Sequence, residues 1–96
     1  MPPVVLINPF EVPEGKDEAF LAEWEAAKAF LEQQPGSIAT RLHRSLVPNA
    51  RFRFINVVEW ATVEAFQAAL NHPALSKLRD ATPFPHFPAL YEAVRT

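Results

Sequence analysis

The sequence predicts an α+β domain of the ferredoxin-like kind, and three observations carry the prediction. Its segments follow the order strand, helix, strand, strand, helix, strand; its strands are apolar on both parities; and its 96 residues suffice for one core but not two. A βαββαβ order builds a four-stranded antiparallel sheet with helices on one face. One domain over residues 1–96 is expected.

Each element has a local reason. VVLINPF (4–10) is rich in β-branched and aromatic residues, and Pro9 suits an edge or a strand end. Pro13, Glu14 and Asp17 announce a helix, with proline in its first turn and acids at the positive end of the dipole. Phe20, Trp24, Ala27 and Leu31 recur at spacings of three and four, so this helix lays one apolar face, taken as core, on something flat. Pro35-Gly36 stops it. SIATRLHRSL (37–46), the turn VPNA (47–50) and RFRFINVVEW (51–60) read as a hairpin. Thr62 is placed to cap TVEAFQAALN (62–71), and His72-Pro73 separates it from a short helix ALSKLRDA (74–81), with His72 as cap or solvent-facing residue. The tail TPFPHFPALYEAV (82–94) is proline-punctuated and then extended.

Two features of the strands ask for more than a monomer with one covered face. Phe54, Val58 and Trp60 share one parity of the third strand while Ile55 and Val57 take the other, and Val4 and Leu6 stand against Val5 and Ile7 in the first. A sheet apolar on both faces needs a second cover, so a homodimer with packed sheets is expected. The second feature is Asn56, amid this apolar run. A buried amide without partners costs roughly 1–3 kcal/mol, so the residue needs a structural or functional reason. Counting from a two-residue turn at Pro48-Asn49 pairs His43 with Phe54 and Arg41 with Asn56, which puts His43, Arg41 and Asn56 on the face of Phe54 and Trp60. A slip of one residue would move His43 and Arg41 to the other face.

Composition narrows the classes of function. Formal charge is −2, and no apolar run reaches the roughly 18–20 residues of a membrane span. PPVVLINPF shows neither the basic leader nor the cleavage site of a signal peptide, so a cytoplasmic protein without membrane partners is expected. Cysteine is absent, and the three histidines lack metal-ligand spacing, so no metal is expected. Arg41, Arg44, Arg51 and Arg53 fall within thirteen positions, yet read as a solvated hairpin edge or mild steering of an anionic molecule, not a nucleic-acid surface.

NVVEWATVEAF, followed by NHPALSKL, resembles the strand-to-helix segment of antibiotic biosynthesis monooxygenase domains, and INPFEVPEGKDEAFLAEWE, PGSIATRLHRS and PALYEAV extend the likeness along the chain. The resemblance implies a dimeric α+β barrel. It is closer to the cofactor-free, quinone-forming branch, of the kind found in actinorhodin biosynthesis. By that likeness His43, Asn56, Trp60 and Arg79 are catalytic, and no cofactor is needed. Phe66 stands where that branch has a tyrosine, so either the substrate differs or the activity is absent. A haem-degrading branch also exists. Asn8 matches its first-strand asparagine, but Ala69 and Arg79 stand where its tryptophan and haem-ligating histidine would be.

The chemistry this constellation suits is direct reaction of O2 with an electron-rich small aromatic substrate. Asn56 and Trp60 would donate hydrogen bonds to the substrate anion, Arg79 would hold an acidic group, and His43 would serve as base. Asn8, Phe54, Phe66 and His86 are expected to line the substrate site, His86 from the PFPHFP segment at its mouth. The competing expectation is a non-oxygenating binding protein or isomerase on the same scaffold.

Overall fold

The computed structural model describes residues 3–95 and contains β1 (Val4–Phe10), α1 (Asp17–Leu31), β2 (Ser37–Arg44), β3 (Phe54–Trp60), α2 (Val63–Leu70), α3 (Pro73–Ala81) and β4 (Ala89–Glu92). The strands form one antiparallel sheet in the order β2-β3-β1-β4. The helices lie on one face, and the smallest extent of the molecule, 17 Å, is that of one sheet and one helical layer. No described helix is long and apolar enough to cross a membrane.

Registers across the sheet set up rows of side chains on a common face. Trp60 faces Val4, Val58 faces Leu6, Asn56 faces Asn8 and Phe54 faces Phe10. All four of these β3 residues are buried under the helices. They divide the interior into two clusters: Val58 and Trp60 pack with Leu31 and Ala69, and Phe54 packs with Phe20 and Phe84. Asn56 lies on the strand between the two, which is the geometric setting of the site.

The helix boundaries follow from turn and cap chemistry. Pro13 does not open α1; it begins a turn closed by Lys16 N–H on the Pro13 carbonyl at 3.1 Å, with Gly15 at φ 84° in the third position. That positive φ is the signature of a type II turn, so the helix starts four residues later, at Asp17. Thr62 caps α2 as expected, its hydroxyl accepting from Ala65 N–H at 3.0 Å. His72 caps α3, its Nδ1 accepting from Ala74 N–H at 3.0 Å.

The hairpin register differs from the expected one by a residue. Its turn sits at Val47–Ala50, with Ala50 N–H on the Val47 carbonyl at 3.3 Å and Asn49 at φ 60°. Ladder pairing resumes at Ser45 with Arg53, bonded at 2.8 Å, so the segment after the turn holds one extra residue. The side chain of Arg53 fixes this arrangement, donating to the Ser45 carbonyl at 3.2 Å and pairing with Asp17 at 3.0 Å. Leu42 therefore faces Asn56, and His43 faces Ile55 on the outer face. That outer face carries Val5, Ile7, Ile55 and Val57 half-exposed, beside Ile38 and Tyr91 at 53% and 52% exposure.

The arginine-rich hairpin is ion-paired and stacked. Arg51 meets Glu11 at 2.7 Å and lies over Phe52 and Phe87, while Arg53 is held by Asp17. Two of its four cations are thus already neutralised, as a solvated edge requires.

Candidate functional site

Between the helix face of the sheet and the three helices lies a cavity of about 700 Å³. Its walls are mainly apolar: Ala27 and Leu31 come from α1, Phe66 from α2, Leu75 and Leu78 from α3, Leu6 and Leu90 from the sheet. Few polar groups in an apolar enclosure of this size is the usual form of a small-molecule site.

Of the residues read from the sequence as site candidates, Asn8, Asn56, Trp60, Phe66, Arg79 and His86 all line this cavity. Phe54 does not; it is buried beneath, its ring stacked on Phe20 with centroids 4.6 Å apart. His43 is absent for the reason given by the register: it is exposed on the opposite face of the sheet.

Asn56 is 6% exposed and its Oδ1 accepts from the indole Nε1–H of Trp24 at 3.1 Å. An indole N–H can only donate, so this bond fixes which end of the amide is which. The oxygen is turned to α1, and Nδ2, which has no protein partner among the described residues, remains as a donor. Trp24 also lines the cavity. The helical periodicity that marked it as core was correct about its face, yet the contact with a residue 32 positions away has no local signal.

Two more polar atoms are buried without partners at the cavity wall: Asn8 Oδ1 and Trp60 Nε1. Native interiors leave few such atoms, so each calls for a structural or functional reason. The Trp60 ring is held edge-on to Phe66, centroids 6.1 Å apart, and is fully enclosed.

Charged and titratable groups lie around the rim. Arg79, in the last turn of α3, is exposed and donates to Ser76 Oγ at 3.2 Å; it has no acidic partner among the described residues. Glu23 Oε2 accepts from Thr82 Oγ1 at 2.9 Å, which ties α1 to the segment following α3. His86 is half-buried, with Nδ1 3.2 Å from the Phe84 carbonyl and its ring beside Phe10. Among the described residues no three His, Asp or Glu side chains converge as a metal site.

Comparison with known proteins agrees with this architecture. The profile described as "Antibiotic biosynthesis monooxygenase" matches residues 3–81. A candidate monooxygenase structure from Shewanella loihica PV-4 superposes with a TM-score of 0.82 at 41% identity, covering 99% of this chain and 97% of that one. SnoaB, a cofactor-independent oxygenase from Streptomyces nogalater, gives 0.77 at 26% identity over 100% and 97% of the two chains. The curated "Heme oxygenase (mycobilin-producing)" of Mycobacterium tuberculosis is 34% identical over 74 residues, which are 77% of this chain and 69% of that protein. With a matching profile over most of its length and relatives aligned end to end, the chain belongs to the antibiotic biosynthesis monooxygenase family.

Proposed function

We propose that this protein is a cofactor-independent monooxygenase that oxidises a small aromatic substrate, a phenol, anthrone or hydroquinone, with O2. The observation that carries the reading is the oriented amide: Trp24 holds Asn56 by its oxygen, which commits Nδ2 as a donor in an apolar cavity. An electron-rich aromatic needs no metal to react with O2 once its anion is stabilised, because that anion is itself the reductant. Donors fixed in a cavity poor in water stabilise such an anion more than mobile water does. Asn56 Nδ2 is the donor in this reading, while Trp60, fully buried against Phe66, serves as wall and not as a donor the substrate can reach. Arg79, free of acidic partners among the described residues, holds an acidic substituent at the rim. For an anthrone, the methylene CH2 and O2 become a carbonyl and one water.

The homodimer belongs to the same proposal. Its support is the half-exposed apolar outer face, which a second sheet would cover.

The test is O2 uptake by the purified protein on a panel of anthrones, naphthols and hydroquinones, without added metal or flavin, beside Asn56→Leu. Removing one fixed anion donor is expected to lower turnover about 10²–10³-fold with the fold retained. A folded variant that keeps the parent rate, or a parent inert on the whole panel, would refute the reading.

Haem degradation is the second reading, favoured by the identity with the mycobilin-producing enzyme. The α3 helix offers the cavity Arg79 and no histidine, and the imidazole of the cavity comes instead from His86, beyond the helix. Haemin titration separates the two: a sharp Soret shift that is lost in His86→Ala supports haem as substrate, and an unshifted spectrum removes it.

A further inference from the structure

We propose that His86 is the general base of this site, acting through Nε2. The inference rests on the oxygenase reading for the steps that consume O2, but its first step, proton removal, does not require O2.

The geometry begins with the backbone. Phe10 bridges to His86 outside the named strands, in line with the register that pairs Ile7 with Ala89 and Leu6 with Leu90. Residues facing one another across a ladder share a side. His86 thus projects on the helix face with Phe10 and Phe54, one row from Asn8 and Asn56. Counting two strand spacings and two residues, the Cα atoms of His86 and Asn56 are about 12 Å apart. Both side chains rise from the same face of the sheet and line the same cavity.

The tautomer follows from the partner. Nδ1 lies 3.2 Å from the carbonyl of Phe84, and a carbonyl can only accept, so Nδ1 carries the proton. Nε2 is then the basic nitrogen, and it has no partner among the described residues. A carbonyl that fixes one nitrogen as donor and leaves the other as acceptor is how a histidine is held ready for proton transfer. The alternatives are weaker. His43 is on the outer face, His72 Nδ1 is used as a helix cap, and Glu23 is engaged by Thr82. The charged side chains lining the same cavity are Glu23 of α1 and Arg79 of α3.

The step balances for an anthrone. Nε2 takes one methylene proton, and the C–H electron pair remains on the substrate as an anion with its charge on the oxygen facing Asn56. That pair forms the new C–O bond as O2 is reduced to a peroxide, and the imidazolium returns its proton to the distal oxygen. Loss of the second C–H proton with cleavage of the O–O bond leaves a carbonyl and water.

The experiment follows proton removal alone: exchange of the anthrone methylene protons for deuterium in D2O under argon, by NMR, with the parent, His86→Ala and His86→Phe. The phenylalanine variant keeps a ring against Phe10 and controls for folding. The parent is expected to accelerate exchange about 10²–10⁴-fold over either variant, with added imidazole restoring part of the rate to His86→Ala. Exchange unaltered in folded variants, or no acceleration by the parent, overturns the assignment. His86-dependent exchange without O2 uptake in air would uphold the base and sink the oxygenase reading instead.

Discussion

The bond between Trp24 and Asn56 can be tested without a substrate. Trp24→Phe keeps an aromatic ring on α1 but deletes its only hydrogen-bond donor, leaving Asn56 Oδ1 unpartnered in a residue 6% exposed. An orphaned buried acceptor costs about 1–3 kcal/mol. For a domain of this size that is roughly 10 °C in melting temperature. Asn56→Leu has the mirror effect, since it strands the indole N–H. In the double variant neither partner is orphaned, and replacing both ends of a buried bond by apolar groups is nearly neutral. The double variant should therefore be more stable than the sum of the single changes by about 1–2 kcal/mol. Urea unfolding followed by circular dichroism, at one protein concentration, measures all four corners of the cycle. Additivity within about 0.5 kcal/mol would refute the bond, and with it the assigned orientation of the amide.

Three further outcomes are expected. The hydrogen bond from Arg53, aided by the charges of Arg53 and Arg44, holds the Asp17 carboxyl below its ordinary value of 3.8. A lowered carboxyl contributes stability that is present above the ordinary value and lost as pH falls through the folded one, so the parent should lose stability below about pH 3.8 more steeply than Asp17→Asn in pH-dependent urea midpoints. Gly36 has φ 85° and an added Cβ would come 2.5 Å from Ala65 Cβ, so Gly36→Ala should cost about 1–2 kcal/mol for the backbone alone and more for the clash, read as a lower urea midpoint. Val57→Lys, on the uncovered outer face, should convert the proposed dimer to monomer in sedimentation velocity while leaving far-UV dichroism intact; a parent that sediments as a monomer would remove the dimer.

What the sequence revealed and what it withheld divide along physical lines. The order of elements, the cap at Thr62 and the alternation in β3 are local, and each rests on residues within a few positions of one another. The hairpin register was not legible, because the extra residue after the turn is specified by Arg53 reaching Ser45 and Asp17, contacts from 8 and 36 positions away. A single unit of that slip moves His43 across the sheet. His86, which does line the cavity, was visible within an aromatic, proline-rich segment, but its placement opposite Phe10 depends on a bridge that no periodicity marks. Trp24 was legible as an apolar-face residue and illegible as the anchor of an amide.

The polar atoms of the cavity floor come from the sheet, while most of the surface that gives the cavity its shape comes from the helices. These are separate inheritances. A substitution at Phe66, Leu75 or Leu78 alters which molecule fits without touching the strands that carry Asn8, Asn56 and Trp60. A lineage with this layout can change its substrate in small steps along α2 and α3 while the proposed anion donor on the sheet stays fixed. Side chains that differ among relatives along those two helices should therefore report on diet, and those on β1 and β3 on chemistry.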